Sequence, residues 1–341
     1  MLVLVTGGAG MLGRAIVEQL LQQAHTVRIL DLHALDNHKV ETIIGSVVDF
    51  DTVLSACDGV DVVIHTASLV SQELGQPKAL YDVNVLGTEN IIRACQQQSV
   101  KKLIYTSSID VVFDGTPISN GDETLPYPTN HLDYYGTTKM IAEKAVIRAN
   151  NVDGLVTAVI RSAGIYGPHD KHRFPAVLSG TLGTGQFTRI GDGSAKFTHV
   201  YVDNLAYAHA LLADRLELDA KSAGEIYFIT DYEASNFFDF FLPYLEALNI
   251  DAKTQNIPLF LAQTIANVLE LRYKIWQTDK TSRIQLSRYT VASVATDFWF
   301  NHNKARQDFG YQPIVSEQEA FQHTLDWLRD EWLPSLETDT A

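Results

Sequence analysis

A tyrosine and a lysine stand four positions apart in this sequence, as Tyr135 and Lys139. On a helix this spacing places the phenol and the ammonium on one face. A free tyrosine, with a pKa of about 10, is a poor base near neutral pH. A neighbouring ammonium favours the phenolate and so lowers the pKa of the tyrosine. The pair therefore predicts acid–base chemistry on a hydroxyl or carbonyl group.

Two serines supply a second candidate group. Ser107 and Ser108 follow the apolar residues 103–105, which are typical of a buried strand. Ligands of parallel sheets bind beyond the carboxyl ends of the strands, so a hydroxyl there can hold a substrate oxygen. Taken alone, a Tyr-x-x-x-Lys pair is usually a solvated helix face, and paired serines more often form caps or turns. Their position within the pattern described next favours the catalytic interpretation.

The first half of the chain alternates between short apolar runs and helical stretches. Such runs are typical of buried parallel strands, and the helices between them form right-handed crossovers. The pattern predicts an α/β fold of Rossmann type, a doubly wound parallel sheet with helices on both faces. The predicted strands are residues 2–5, 27–30, 42–44, 62–64, 103–105 and 155–160, and the predicted helices are residues 12–23, 51–56, 80–97 and 135–148.

A glycine-rich turn joins the first strand to the first helix. Gly7, Gly10 and Gly13 have the spacing that permits a tight turn, the approach of a pyrophosphate and close packing of the helix. The helix N-terminus then faces the negative charge. Asp31 lies 18 residues beyond Gly13, where a carboxylate hydrogen-bonds ribose hydroxyls and repels a 2′-phosphate. The sequence therefore predicts NAD rather than NADP, with a capping or solvated Asp31 as the alternative.

The second half of the chain lacks this regular alternation. Residues 180–193 are glycine-rich and are predicted to form a loop, followed by a strand-helix unit at 198–212 and a strand at 226–229. Mainly helical, aromatic-rich sequence continues to Trp332. We expect a cofactor domain at 1–166, with a later contribution from about 197–230. A smaller, mainly helical substrate-binding region is expected at 167–196 and 231–335.

A largely apolar helix is predicted at residues 258–276. Gln263, Asn267 and Glu270 interrupt its apolar residues, so it is amphipathic and does not span a bilayer. Three roles remain open for it: a cover over an apolar substrate, a contact with a membrane surface, or an ordinary core helix.

Composition narrows the class of protein. Of the 341 residues, 46% are hydrophobic and 20% charged, which is ordinary for a globular chain. The formal charge of −15, without a basic run, argues against nucleic-acid binding. Cys57 and Cys95 lack metal-site spacing, so we expect two reduced thiols and no metal. The first strand begins at Leu2, leaving no room for a signal peptide, and the cytoplasm is the expected location.

Four motifs in order resemble those of the extended short-chain dehydrogenase/reductase family. They are the glycine turn of residues 6–13, His65-Thr66-Ala67-Ser68, Asn84-Val85-Leu86-Gly87-Thr88, and the Tyr135/Lys139 pair. The resemblance implies that Tyr135 is the acid–base and that Lys139 lowers its pKa and holds the nicotinamide ribose. It implies that Ser108 orients the substrate oxygen. It also implies an NAD site formed by Gly7, Gly10, Met11, Leu12, Gly13, Asp31, Ser46, Val47, Thr66, Ala67, Ser68, Asn84, Ser107, Tyr135, Lys139 and Ile165.

Within that family the chain is similar to the 3β-hydroxysteroid dehydrogenase branch. The similarity lies in residues 105–111 (YTSSIDV), 197–206, 226–231 and 303–313, so that it covers nearly the whole chain. Two positions depart from the branch. Ser162 stands where proline is common, and Ser46 where an acid usually lies beside the adenine. The resemblance implies an apolar secondary alcohol, sterol-like or a long-chain β-hydroxy acid, as the substrate, with its ketone as product.

Two further functions compete with this dehydrogenase. A nucleotide-sugar epimerase or dehydratase can use the same scaffold, but no clamp for a nucleotide diphosphate is recognisable. A non-enzymatic redox sensor commonly lacks the Tyr/Lys pair, which is intact here. In many relatives the helices predicted at 80–97 and 135–148 pair subunits, so a homodimer is expected by analogy.

Overall fold

A computed structural model describes residues 1–70, 76–276 and 286–338. Its strands are β1 (Leu2–Thr6), β2 (Thr26–Asp31), β3 (Glu41–Ile44), β4 (Val62–His65), β5 (Lys102–Ser108), β6 (Ile118–Gly121), β7 (Val156–Ser162), β8 (Gly164–Tyr166), β9 (Gln186–Ile190), β10 (His199–Tyr201), β11 (Ile226–Ile229), β12 (Lys253–Ile257) and β13 (Phe298–Phe300).

The α-helices alternate with these strands over the first half and dominate the second. They are α1 (Met11–Gln22), α2 (Phe50–Ala56), α3 (Pro77–Tyr81), α4 (Gly87–Gln97), α5 (Tyr134–Arg148), α6 (Arg173–Thr184), α7 (Val202–Arg215), α8 (Leu242–Ala247), α9 (Leu259–Trp276), α10 (Arg288–Ala295), α11 (Asn303–Phe309), α12 (Glu317–Trp327) and α13 (Leu333–Thr338). Short 3₁₀ turns lie at Ile109–Val112 and Asp239–Phe241, and π-helical turns at Asp82–Leu86 and Leu328–Trp332.

Seven parallel strands form one sheet in the order β11-β7-β5-β4-β1-β2-β3. The chain moves outward from β1 to β3 and then crosses to β4 on the other side of β1, so the strand order reverses between β1 and β4. In such sheets the crevice at this reversal, beyond the carboxyl ends of the strands, is where ligands bind. The predicted Rossmann-type fold is confirmed, and the glycine turn and the paired serines both lie at the carboxyl edge.

The sheet is covered on both faces, which explains its continuous apolar runs. Because neighbouring side chains of a strand point to opposite faces, Val3 and Val5 enter one core cluster and Leu4 enters the other. Helices α1 and α7 pack together on one face. Helices α2, α4 and α5 contribute buried residues to the cluster on the other face.

The prediction of a loop at residues 180–193 is wrong. Helix α6 continues to Thr184, ends at Gly185 in the left-handed conformation (φ 66°), and is followed by β9. Side chains added at Gly180 or Gly183 would meet open space, so these glycines lie on a solvated helix face. Strand β9 pairs in parallel with β12 from a distant part of the chain. That pairing stabilises an extended conformation which the local glycine content does not suggest.

The predicted helical stretch at residues 80–97 is present, and it contains an irregular turn. A π-helical turn, Asp82–Leu86, lies between α3 and α4. Such turns insert an extra residue into a helix and are frequent at functional sites. Here the turn carries Asn84, whose side chain is buried.

Helix α9 is not an ordinary core helix. It packs through small residues, Ala262 and Ala266, and through the buried Glu270, which forms an ion pair with Arg288 at 2.9 Å. Its large apolar side chains point outward, and Phe260 is 72% exposed. Within the described ranges, no helix is both long and apolar enough to cross a membrane.

Candidate active site

The Tyr135 and Lys139 side chains lie on α5 and are buried. The helix begins there because Asp133 caps it, accepting a hydrogen bond from the Gly136 N–H at 3.0 Å. The Lys139 ammonium donates to the Thr106 carbonyl at 2.6 Å. Helix α5 thus holds the lysine against the carboxyl end of β5, the strand that carries the paired serines.

Burial dominates the acid–base properties of this pair. It lowers the pKa of Lys139 to about 7, opposed by the charges of Glu143 and Asp110. It raises the pKa of Tyr135, and the charges of Asp110 and Asp133 raise it further, while hydrogen bonds with Ser108 and Ser68 lower it. The expected lowering of the Tyr135 pKa by Lys139 is therefore not found in the protein alone, because desolvation and two nearby acids outweigh it.

Ser108 belongs to a buried hydrogen-bond network. Its hydroxyl donates to Asp110 Oδ2 at 2.7 Å, and the Tyr289 hydroxyl donates to Asp110 Oδ1. A serine hydroxyl has one hydrogen, so Ser108 Oγ can only accept hydrogen bonds from other groups in this arrangement. It accepts from the Asp110 backbone N–H at 3.3 Å. Sequence reasoning gave Asp110 and Tyr289 no role; the Ser-x-Asp spacing hints at the first, and nothing local identifies the second.

A buried ion pair fixes α5 on the sheet. Arg161 of β7 and Glu143, one turn beyond Lys139, approach to 2.6 Å, and the Tyr127 hydroxyl donates to Glu143 at 2.7 Å. Both charged side chains are almost wholly removed from solvent. Removing one partner of such a pair would leave an uncompensated buried charge, which is strongly destabilising. The pair therefore couples the position of the catalytic helix to the strand next to β5.

The glycine turn is built as the predicted nucleotide site requires. Gly7 has φ 72°, and a Cβ on it would lie 2.9 Å from the Ala67 backbone. A Cβ on Gly13 would lie 2.1 Å from the Gly7 carbonyl oxygen, so only glycine lets α1 pack this closely. Asp31 is held at this turn, accepting from the Ala9 N–H at 3.0 Å. The turn thus offers a cradle that side chains would fill, with a carboxylate at its edge, and fits a dinucleotide with a free ribose 2′-hydroxyl.

Polar groups after β1 and β4 connect this turn to the catalytic helix. The Thr66 hydroxyl donates to the Thr6 carbonyl at 2.7 Å, and the Ala67 N–H donates to the Thr6 hydroxyl at 3.2 Å. Ser68 donates to Asn84 Oδ1 at 3.0 Å, and Asn84 Nδ2 donates to the Thr138 hydroxyl of α5 at 3.1 Å. The π-helical turn therefore places Asn84 between the loop after β4 and α5.

The remaining predicted cofactor residues lie along the same carboxyl edge. Met11 and Leu12 open α1, Ser46 and Val47 follow β3, and Ile165 lies in β8. The Ser46 hydroxyl accepts from the Val48 N–H at 3.2 Å. Ser107 Oγ is buried and has no hydrogen-bond partner among the described residues. An unpaired buried hydroxyl at this edge is consistent with a ligand that completes the site.

Ser162, which stands where proline is common in the related branch, contacts the neighbouring strand. Its hydroxyl donates to the Ser107 carbonyl at 3.2 Å, across neighbouring strands. A proline there would lack this donor, so the serine adds a link between β5 and β7 beside the paired serines.

Comparison with known proteins places this arrangement in a family. Residues 4–259 match the model of the 3-beta hydroxysteroid dehydrogenase/isomerase family. The sterol-4-alpha-carboxylate 3-dehydrogenase, decarboxylating, of Mus musculus is 35% identical over 94% of this chain and 89% of that protein. The 3 beta-hydroxysteroid dehydrogenase/Delta 5→4-isomerase of Mycobacterium tuberculosis is 34% identical over 95% of this chain and 90% of that protein.

Solved structures agree on the fold. The UDP-glucose 4-epimerase of Thermus thermophilus, in complex with NAD, has a TM-score of 0.74 at 24% identity, covering 97% of this chain and 100% of that chain. A dTDP-glucose 4,6-dehydratase from Streptomyces venezuelae, with NAD bound, has a TM-score of 0.75 at 21% identity, covering 97% and 98%. At this identity the likeness shows the shared scaffold and not the shared reaction.

Proposed function

Because the chain belongs to the 3-beta hydroxysteroid dehydrogenase/isomerase family, we propose that it oxidises the secondary hydroxyl of an apolar, sterol-like substrate to the ketone, with NAD as cofactor. The observation that carries the proposal is the buried cluster of Tyr135, Lys139 and Ser108 beside a glycine turn that ends at Asp31. The relatives named above act, by their names, on sterol 3-hydroxyls. A long-chain β-hydroxy acid has the same reacting group.

Each residue of the cluster has a distinct role in this mechanism. Ser108 holds the substrate oxygen by donating its hydroxyl hydrogen, which is directed to Asp110 Oδ2 in the protein alone and turns to the substrate when it binds. Tyr135 takes the hydroxyl proton at its phenol oxygen. Bound NAD supplies the acceptor for the hydride that leaves the carbinol carbon. Lys139 holds the nicotinamide ribose and, as an ammonium, favours the phenolate.

The cofactor residues divide between two ends of the cleft. The pyrophosphate is held at the start of α1 by Gly7, Gly10, Met11, Leu12 and Gly13. The adenosine side is held by Asp31, together with Ser46 and Val47. The other cofactor residues lie nearer to α5 than the adenosine side does, and they are Thr66, Ala67, Ser68, Asn84, Ser107 and Ile165. Residues 1–166 and 197–230 form the cofactor half, which the position of β11 in the main sheet supports. Residues 167–196 and 231–335 form the substrate half.

Tyr135→Phe tests the mechanism, because it keeps the ring and removes only the proton-transfer group. Turnover of a 3β-hydroxysteroid should fall by about 10²–10⁴-fold, while NADH affinity stays within about twofold of the wild type. Exposed Tyr134→Phe, at the neighbouring position of α5, is the matched control and should retain full turnover. Near-normal turnover of Tyr135→Phe would refute the mechanism.

The epimerase is the second candidate, and only the shared scaffold favours it. The epimerase function predicts a different result, namely conversion of a UDP-sugar without net formation of NADH. Sterol-dependent NADH production, combined with no conversion of UDP-glucose, separates the two functions.

We also propose that the exposed apolar face of α9 contacts a membrane surface. This face, which includes Leu261 and Ile265, lies opposite the buried Ala262 and Ala266, as in amphipathic helices that lie in a membrane interface. The double variant Leu261→Asp, Ile265→Asp should lose sedimentation with neutral lipid vesicles. If the same variant loses sterol turnover but keeps vesicle binding, the face covers the substrate instead.

A homodimer and a cytoplasmic location complete the proposal. Leu86, before α4, and Tyr134, at the start of α5, are exposed beside the helices that pair in relatives. Light scattering of Leu86→Arg should show a monomer where the wild type is a dimer. The two cysteines are buried free thiols, which suits a reducing compartment.

A further inference from the structure

A buried histidine on α7 is hydrogen-bonded to the strand that carries the paired serines. The His209 ring is fully removed from solvent, and its Nε2 lies 2.8 Å from the hydroxyl oxygen of Thr106 in β5. The two residues are 103 positions apart in the sequence and meet because α7 packs against β5. Thr106 is also the residue whose carbonyl oxygen accepts from the Lys139 ammonium at 2.6 Å. A single residue of β5 therefore links the histidine to the lysine.

The contacts of the His209 ring fix its tautomer. Nδ1 lies 2.8 Å from the Leu205 carbonyl oxygen, one turn earlier in α7, and a carbonyl oxygen can only accept. Nδ1 therefore carries the proton. Burial lowers the pKa of His209 to about 4, so the ring is neutral at pH 7 and Nε2 carries no proton. The Thr106 hydroxyl consequently donates to Nε2, and α7 sets the direction of this side chain.

The pairing of β5 explains why Thr106 needs such a contact. On one side, β5 pairs with β4 only as far as Tyr105. On the other side, the pairing with β7 continues to Ser108. Thr106 is thus the first residue of β5 that extends past the end of β4. From this point two helices take over the support that β4 gives to the strand, α5 through Lys139 and α7 through His209.

The position of the Lys139 ammonium depends on Thr106. Besides the Thr106 carbonyl, the Tyr105 ring contacts the ammonium, with Nζ 4.5 Å from the ring centre. An ammonium has three N–H donors. The carbonyl uses one of them, which leaves two for the hydroxyls of a nicotinamide ribose. A small rotation of the Thr106 peptide would therefore displace the ammonium from the place where it can bind the cofactor.

We propose that His209 is a positioning residue: by fixing Thr106, it holds the Lys139 ammonium where the nicotinamide ribose binds. The inference rests on the proposed function for the role of Lys139, and it adds a residue that lies outside every motif of the cofactor and catalytic site. The effect of losing His209 should be smaller than that of losing Lys139 itself, because a neutral hydrogen bond contributes less than one to a charged group. It should reach both cofactor affinity and turnover, since Lys139 serves both.

NADH binding to the purified full-length protein tests the inference without any substrate. His209→Leu removes the acceptor and should weaken NADH binding by about 3- to 10-fold in a fluorescence titration, the range expected for one neutral hydrogen bond. His209→Gln keeps an acceptor near the position of Nε2 and should restore the affinity to within about twofold of the wild type. Equal losses in the two variants would show that only packing matters and would overturn the inference.

A double-mutant cycle shows whether His209 acts through Lys139. Lys139→Met removes the ammonium and should itself weaken NADH binding. In that background, His209→Leu should change the affinity by less than about twofold, because the group that it positions is already absent. Additive losses would show that the histidine acts by another route, and the inference would be wrong. Thr106→Val, which keeps the shape of the side chain and removes the hydroxyl, supplies the same cycle if His209→Leu does not fold.

A second threonine–histidine pair provides the matched control. Thr230 follows β11, and its hydroxyl oxygen lies 2.7 Å from His302 Nδ1. Strand β7 lies between β11 and β5 in the sheet, so this pair is separated from Lys139. His302→Leu removes a hydrogen bond of the same kind and should leave NADH affinity unchanged. A loss in His302→Leu as large as that in His209→Leu would show a general effect of such substitutions and overturn the inference.

Steroid turnover separates this inference from the proposed function. In His209→Leu, kcat for a 3β-hydroxysteroid at saturating NAD should fall by about 3- to 10-fold, since a displaced ammonium favours the Tyr135 phenolate less. Unchanged kcat together with unchanged NADH affinity would refute the role given to His209. If the wild type oxidises no steroid, the proposed function fails, while the NADH titrations still decide whether His209 positions Lys139.

Discussion

Replacing Asp110 by asparagine tests how Ser108 is oriented. The Ser108 and Tyr289 hydroxyls each donate to one oxygen of the Asp110 carboxylate, at 2.7 Å and 2.5 Å. Asparagine keeps the shape but offers only one acceptor oxygen. If that oxygen stays with Tyr289, the new amide N–H donates to Ser108 Oγ. Ser108 then accepts where it donated before, and the charged hydrogen bond that positions its hydroxyl is lost.

The expected loss follows from the bond that is removed. Hydrogen bonds to charged groups contribute about 1.5–3 kcal/mol, which corresponds to about 10- to 150-fold in rate. We expect kcat/KM for alcohol oxidation to fall by this factor in Asp110→Asn. Ketone reduction should fall by the same factor, because the two directions pass through one transition state and the substitution does not change the overall equilibrium. NADH affinity should stay unchanged, since neither residue belongs to the glycine turn.

The assay measures initial rates in both directions from NADH absorbance, together with NADH binding. Asp114→Asn is the matched control, because this exposed acid accepts hydrogen bonds from its neighbour Thr116 and is not part of the Ser108–Asp110–Tyr289 network. It should behave as the wild type. An unchanged kcat/KM in Asp110→Asn, with NADH binding intact, would refute the idea that Asp110 positions Ser108.

Three further predictions follow from the geometry. The double variant Asp31→Ser, Leu32→Arg should bind NADP better relative to NAD in a titration, because it removes the carboxylate held at the glycine turn and adds a cation. Equal affinities of the wild type for NAD and NADP would contradict the role given to Asp31. Gly13→Ala should lower stability by about 1–3 kcal/mol or more, since its Cβ would overlap a backbone carbonyl. Gly183→Ala, with open space around it, should be neutral or stabilising in the same denaturation assay. Burial and the charge of a nearby acid raise the pKa of Asp133 to about 7. Its contribution to stability is therefore lost as pH rises from about 4 through about 7. The melting temperature of Asp133→Asn should rise relative to that of the wild type over this pH range, and a constant difference between the two proteins would be contrary evidence.

Local sequence determined the cofactor half of the fold. The strands of the main sheet were predictable because strands covered on both faces must be continuously apolar. The glycine turn and Asp31 were predictable because their spacing is set by one turn and one crossover. Tyr135 and Lys139 were found because one helical turn brings them together. In each case, the residues that act together are close in sequence or follow one another in a fixed order.

Only the tertiary structure decided which distant groups meet. Asp110 and Tyr289 are 179 residues apart, and Arg161 reaches Glu143 because α5 packs on β7. Strand β9 was mistaken for a loop, since its partner β12 lies far along the chain. Burial and the charges of two acids raise the pKa of Tyr135 in the protein alone, and the lowering expected beside Lys139 and an oxidised nicotinamide stays a prediction. Apolar periodicity reports whether a residue is buried, but desolvation and pairing depend on the groups that packing brings into contact, which the local sequence does not specify.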